Sequence, residues 1–202
     1  MMSVVANIKD LPDFEKIETY QLTCAPARNT NGTITPCPVG GQPPAAVKQK
    51  ALESYGLGKE LEELAIYPET QDFDRFLITD KVFLSNLEKQ LKIKHAAARI
   101  QTLLPGQMTM EHLDDCDSGY IQLYDFSPEE KTFYRNNPYY VKRFLILMED
   151  WKPGQGIMFG KDVFTDWKKG DTIEWDWVND VHSTFNTGFW ARSLIRLTGV
   201  IC

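Results

Sequence analysis

After His95 the chain turns into a succession of short runs rich in β-branched and aromatic residues, closed by turn signals and without helical crossovers between them. The runs are Arg99–Leu104, Met108–Leu113, Tyr120–Tyr124, Tyr139–Met148, Gly156–Phe159, Thr172–Trp177, His182–Phe185 and Trp190–Thr198. Pro105-Gly106, Pro153-Gly154 and Lys169-Gly170-Asp171 mark turns between them. Parallel strands need long, usually helical connections, whereas antiparallel strands need only tight turns. The pattern therefore predicts a small antiparallel barrel or jelly roll rather than a doubly wound sheet.

The front half reads differently. Residues 25–46 collect Asn29, Asn31, Gly32, Pro36, Pro38, Gly40, Gly41, Pro43 and Pro44, a composition that interrupts regular structure and predicts a long loop, a candidate substrate cover. Helix formers dominate Ala45–Leu64, and Phe83, Leu84, Leu87 and Leu91 give Lys81–Lys94 a period near 3.6. With 202 residues the expectation is one domain, in which a helix- and loop-bearing segment 1–95 packs on a β core at 96–202.

A net charge of −6 gives no electrostatic reason to bind a phosphate backbone, so nucleic acid is not an expected partner. Cys24, Cys37, Cys116 and Cys202 form no C-x-x-C pair, which argues against a zinc ribbon or thioredoxin-like motif. Free thiols are expected, Cys24 and Cys37 included. The first residues carry neither a basic leader nor an apolar core, and no run of 18 apolar residues appears. The expectation is a soluble cytoplasmic protein with no membrane partner.

His112 and Asp114 lie two residues apart, and His182 and Arg192 follow at a distance. If Thr109–Asp114 is extended, the imidazole and carboxylate point the same way from Cα atoms about 7 Å apart. A metal ion fits between them, and a second histidine from a distant strand completes the two-His-one-carboxylate triad of mononuclear Fe(II) oxygenases.

The order of motifs resembles the aspartyl/asparaginyl β-hydroxylase branch of the 2-oxoglutarate-dependent dioxygenases. Residues 98–106, running Ala-Arg-Ile-Gln-Thr-Leu-Leu-Pro-Gly and leading to His-x-Asp, are similar to that branch's strand, turn and first metal ligands. Trp167-Lys168-Lys169-Gly170-Asp171, followed by Trp175-Asp176, His182, Asn186 and Arg192, resembles its closing hairpin. The likeness spans roughly Ala98 to Gly199. It implies a double-stranded β-helix, the cupin-like jelly-roll barrel. It also implies His112, Asp114 and His182 as ligands of Fe(II), with 2-oxoglutarate and O2 as cosubstrates and succinate and CO2 as co-products. The implied reaction is hydroxylation of a C–H bond in an amino-acid, peptide or protein side chain.

Arg192 is the implied grip on the far carboxylate of 2-oxoglutarate, since a guanidinium presents a planar fork to a carboxylate. Arg196 shares its strand face and is the second choice. Lys142 and Arg143 fall where the family often carries a basic residue, and only one of the two can point inward. Trp175 and Asn186 read as packing and turn residues, and the tryptophans generally as barrel filling.

Other residues take plainer readings. His95 is expected to be a solvated residue at a helix end, opposing the dipole. Asp115 and Asp117 read as solvated, because the acidic run lacks an EF-hand loop. Cys116 has no histidine at a recognised offset and reads as an incidental thiol. Two other classes use the same barrel: a cupin-like sugar epimerase or isomerase with His182 or His112 as base, and a non-catalytic barrel for binding or assembly.

Overall fold

The computed structural model describes residues 3–21, 27–28, 34–35, 74–109, 113 and 126–201. The chain divides into two compact units, Met1–Leu22 with Phe73–Cys202, and Thr23–Asp72. In the second unit the described structure is a two-stranded ribbon, β3 (Ala27–Arg28) against β4 (Ile34–Thr35).

The first unit is built on a seven-stranded sheet and a four-stranded sheet. The larger contains β1 (Ser3–Asn7), β2 (Thr19–Gln21), β5 (Asp74–Ile78), β6 (Ile93–Leu103), β8 (Val141–Leu147), β11 (Asp171–Glu174) and β13 (Arg192–Ile201), in the order β1-β11-β8-β13-β6-β5-β2. The smaller contains β7 (Gln107–Met108), β9 (Gln155–Phe159), β10 (Asp162–Phe164) and β12 (His182–Asn186), in the order β10-β9-β12-β7. From β6 to β13 the chain passes back and forth between the sheets, and all pairings are antiparallel. That alternation, with β8, β13 and β6 neighbours in one sheet and β9, β12 and β7 in the other, is a double-stranded β-helix.

The central strands carry apolar residues on both faces because both faces are covered. Outside, Ala98, Ile100, Phe144, Ile146, Ile195 and Leu197 pack against Leu87 of helix α1 (Lys81–Leu91) and against Ile8, Leu11 and Ile17. Inside, Leu145, Leu147, Leu194 and Val200 meet Ile157 and Phe159 of the smaller sheet, with Trp167, Ile173, Trp175 and Trp177 filling the remaining space. Helix α1 starts where the Asp80 side chain accepts from the Phe83 amide at 2.9 Å, and it stops at Lys92, whose φ of 55° is left-handed. Helix α2 (Pro128–Asn136) opens on a capping box: the Ser127 hydroxyl accepts from the Glu130 amide, and the Glu130 carboxylate accepts from the Ser127 amide.

Several expectations need correcting. The helical pattern of Lys81–Lys94 ends at Leu91, and β6 begins at Ile93. His95 therefore sits on a strand, half-buried, with a left-handed φ of 56° at a register shift opposite Gly199, and its ring meets Phe126 edge-on at 5.3 Å. The front half is not only helix and loop, because β1, β2 and β5 extend the larger sheet at both edges. The expected strand Thr172–Trp177 ends at Glu174, and Trp190–Thr198 is displaced to Arg192–Ile201. The expected helix at Ala45–Leu64, strand at Tyr120–Tyr124, the four cysteines and most of the 25–46 loop lie outside the described residues.

Candidate functional site

β12 places His182, Thr184 and Asn186 on one face, all buried. His182 pairs directly with Phe159, whose side chain belongs to the inner layer, so the imidazole looks into the barrel. Its ring lies 6.1 Å from Phe159, nearly parallel, and 5.2 Å from Trp175. An aromatic wall of this kind fixes the ring plane and excludes water from one side. Asp176 and Asn179 shape the turn that leads into β12, where the Asp176 carboxylate accepts from the Asn179 amide group.

The neighbouring connection is tied just as closely. The Thr109 amide donates to the Thr184 carbonyl at 2.7 Å, and the Thr184 amide donates to the Thr109 hydroxyl at 2.8 Å. Thr109, three residues before His112, is thus fastened to a residue two positions after His182. His112 and Asp114 themselves lie outside the described residues. Among the described residues no three potential ligand side chains gather.

At the opposite end of β12 the chain turns into β13, whose first residue is Arg192. Asn186 staples this turn: its side-chain amide donates to the Leu103 carbonyl at 2.9 Å and to the Trp190 carbonyl at 2.7 Å. It is structural, as its sequence context suggested. Arg192 stands opposite Leu103 on the face of Leu194, so its guanidinium enters the barrel. It is fully buried and donates through Nη1 to the Gly156 carbonyl at 3.2 Å. Its Nε and Nη2 have no hydrogen-bond partner among the described residues. Burial pulls its pKa down to about 9, partly opposed by the carboxylate of Glu149. A buried cation with two idle, fork-aligned donors is matched to a carboxylate that no described residue supplies. Gln155, one residue before Gly156, is also buried, with its Nε2 lacking a partner among the described residues.

Arg196 lies on the same face of β13 but is only half-buried. Of the adjacent pair Lys142 and Arg143, the inward one is Arg143, whose guanidinium lies 4.4 Å over the Trp177 ring. Lys142 points outward and pairs with Glu174. The idle donors of Gln155 and Trp175 carried no advance signal in the sequence, because a glutamine and a tryptophan on strands read as ordinary packing. Among the described residues no helix is long and apolar enough to cross a membrane.

No protein-family model matches the chain, and no curated protein sequence matches it. Several solved structures are weakly similar to the chain. A viral collagen prolyl hydroxylase from Paramecium bursaria Chlorella virus-1, in complex with 2-oxoglutarate, is 12% identical with a TM-score of 0.43, over 64% of this chain and 80% of that one. A cupin 2 conserved barrel domain protein from Salinispora arenicola is 8% identical with a TM-score of 0.37, over 64% and 77%. A sugar phosphate isomerase of a cupin superfamily from Silicibacter pomeroyi is 9% identical with a TM-score of 0.35, over 62% and 59%. Likeness at these levels names neither a family nor an activity for this chain. What stands on the strand order is that the chain is a jelly-roll barrel of the cupin kind.

Proposed function

We propose that the chain is an Fe(II)- and 2-oxoglutarate-dependent dioxygenase that hydroxylates a C–H bond of an amino-acid, peptide or protein side chain. The observation that carries this reading is Arg192: a fully buried guanidinium on the inner face of the barrel, with two nitrogens unpartnered among the described residues. Burying a charge without a partner costs several kcal/mol, which is tolerable where a ligand completes the pair. His182 would contribute one metal ligand, oriented by Phe159 and Trp175. His112 and Asp114 would contribute the others, approached from Thr109.

Bound together, Fe(II) and 2-oxoglutarate supply O2 activation, with succinate and CO2 as co-products. The chain's own part is positional. Arg192 binds and orients the cosubstrate's far carboxylate, Gly156 aims Arg192, and the aromatic lining of Phe159, Trp175 and Trp177 keeps bulk water from the reacting centre. The Thr109–Thr184 ties hold Thr109 against the strand of His182.

The test is anaerobic reconstitution of the full chain with Fe(II) and 2-oxoglutarate, followed by admission of O2. Succinate should form slowly without substrate and faster with the right one, and Arg192→Gln should weaken 2-oxoglutarate binding at least tenfold. Absence of both succinate formation and 2-oxoglutarate binding in the parent protein overturns the reading.

A further inference from the structure

Three hydrogen bonds hold Gln155 in place. Its amide donates to the Lys152 carbonyl at 3.2 Å, its carbonyl accepts from the Trp151 indole at 2.8 Å, and its side-chain Oε1 accepts from the Lys152 amide at 3.2 Å. A backbone N–H can only donate, so the oxygen of the side-chain amide faces Lys152 and the nitrogen faces away. The residue is 1% exposed, and its Nε2 has no partner among the described residues. A buried donor without an acceptor is rare in a folded protein and costs stability unless a bound molecule supplies one.

Two routes through the fold bring Gln155 to Arg192. On β9, Ile157 and Phe159 belong to the inner layer, so Gln155, two residues before Ile157, also faces the barrel interior. Arg192 enters the same interior, and its Nη1 donates to the carbonyl of Gly156, the residue that follows Gln155. Gln155 also stands directly opposite Asn186 on β12, the Asn186 side chain donates to the Leu103 carbonyl, and Leu103 is the cross-strand partner of Arg192. The idle nitrogens, Nε2 of Gln155 with Nε and Nη2 of Arg192, therefore share one buried end of the barrel. Glu149, the carboxylate whose charge Arg192 feels, is engaged elsewhere: its Oε1 accepts from the Ser193 amide at 3.0 Å and its Oε2 from the Lys152 ammonium at 2.8 Å.

These groups are chemically one-sided. The acceptor of Gln155 is taken by Lys152, and a guanidinium has none. Only N–H donors remain, which suits a carboxylate, whose oxygens only accept, and leaves an apolar tail facing unpaired donors. A site built to bond a polar group rejects the analogue that lacks it for that reason.

We propose that Gln155 is a specificity-determining residue: its Nε2 and the idle nitrogens of Arg192 close on one carboxylate in a seat that offers donors alone. The inference rests on the oxygenase reading for identifying that carboxylate as the far end of 2-oxoglutarate. Arg192 supplies the charge, and Gln155 supplies a neutral donor that selects for the carboxylate.

The test loads the full chain with Mn(II) and compares, by calorimetric titration, the affinities for 2-oxoglutarate and 2-oxopentanoate, which has the same carbon chain with a methyl group in place of the far carboxylate. The parent should prefer 2-oxoglutarate by about 100-fold or more. Gln155→Glu keeps an oxygen for the Lys152 amide, removes the N–H donors and places a carboxylate beside Arg192. It should melt no lower than the parent, and its preference for 2-oxoglutarate should fall by about tenfold or more. Gln155→Met loses the Lys152 bond as well and should lower both the preference and the Tm. A purely structural Gln155 would be spared by Glu. Because the readout is a ratio of two ligands that share the metal-binding end, it survives a general loss of stability. A parent that binds both acids equally well, or a Gln155→Glu protein that keeps the parent's ratio, overturns the proposal. If succinate forms but that ratio is untouched, the oxygenase reading stands and the proposal falls. A second arm melts the metal-free chain in glutarate or chloride at matched ionic strength. If the parent takes no 2-oxoglutarate, yet glutarate raises its Tm over chloride and does not do so in Gln155→Glu or Arg192→Gln, the oxygenase reading falls and the carboxylate seat stands. Binding of none of the three acids overturns both.

Discussion

The guanidinium of Arg192 crosses from one sheet to the other: its backbone belongs to β13 of the larger sheet, and its Nη1 donates to the Gly156 carbonyl of the smaller one at 3.2 Å. One neutral acceptor does not compensate a buried positive charge. Replacing a buried, poorly paired charge by an apolar side chain of similar size is often stabilising by about 1–4 kcal/mol. Arg192→Met should therefore raise the stability of the ligand-free protein while removing 2-oxoglutarate binding, and urea unfolding with parallel calorimetric titration measures both. The sign with pH follows from the lowered pKa. The guanidinium's burial cost is present in full below about pH 9, and it shrinks above that pH as the folded state can release the proton before the unfolded chain does. The gap between variant and parent should be constant up to about pH 9 and narrow above it.

Metal binding gives a second check. Mn(II) or Fe(II) at about 100 times its dissociation constant should stabilise the folded protein by about 2.7 kcal/mol through mass action. In a unit of this size that is a rise of about 5–10 °C in Tm. His182→Ala should abolish the rise. The same substitution loses contacts with Trp175 and Phe159 and lowers the metal-free Tm as well, so the decisive number is the metal-induced shift in each protein.

Much of this arrangement was legible in advance, and the failures have physical causes. The jelly roll followed from short apolar runs with turn signals between them, and the shared face of Arg192, Leu194 and Arg196 followed from strand alternation. His95 was misread because Lys92 ends its helix in a left-handed turn without a glycine, leaving no signal for the switch from helix to strand. The edge strand β1 was invisible because Val4 and Val5 are both exposed, so no alternation marks a buried face. β10 is three residues long, with Asp162 and Val163 exposed. Helix α2 opens on Ser127-Pro128-Glu129-Glu130, a capping-box pattern, but no broad apolar stripe follows it to mark a helix in the sequence. The choice between Lys142 and Arg143 depended on which face of β8 turns inward, which the packing of Val141, Leu145 and Leu147 in the inner layer fixes.

Asn186 should be sensitive out of proportion to its distance from any chemistry. Asn186→Ala leaves the Leu103 and Trp190 carbonyls without their side-chain donor in a buried turn, at about 1–3 kcal/mol for each such group. We expect a loss of about 2–4 kcal/mol in urea unfolding. Because the same residue holds the start of β13, 2-oxoglutarate affinity should fall too, whereas Asn186→Asp, which keeps the shape, should fold but lose the two donations.

Gly170 offers a backbone test. Its φ is 88°, and a Cβ there would lie 2.4 Å from the Ile8 carbonyl oxygen, an atom that cannot move away without disturbing the β1–β11 pairing. Gly170→Ala should cost about 2–3 kcal/mol, seen as a lower urea midpoint with an unchanged slope.

The pairing of β1 with β11 also sets a timetable for biosynthesis. Asn7 donates through its side chain to the Asp171 carboxylate, 164 residues later. A ribosome adding about 5–20 residues per second needs roughly 8–30 s to make that stretch. For that interval β1 has been synthesised without its partner, so closure of the larger sheet at this edge awaits the 164 residues that separate the two. A folding chaperone that shields β1 during synthesis would act on Val4 and Val5 before β11 exists.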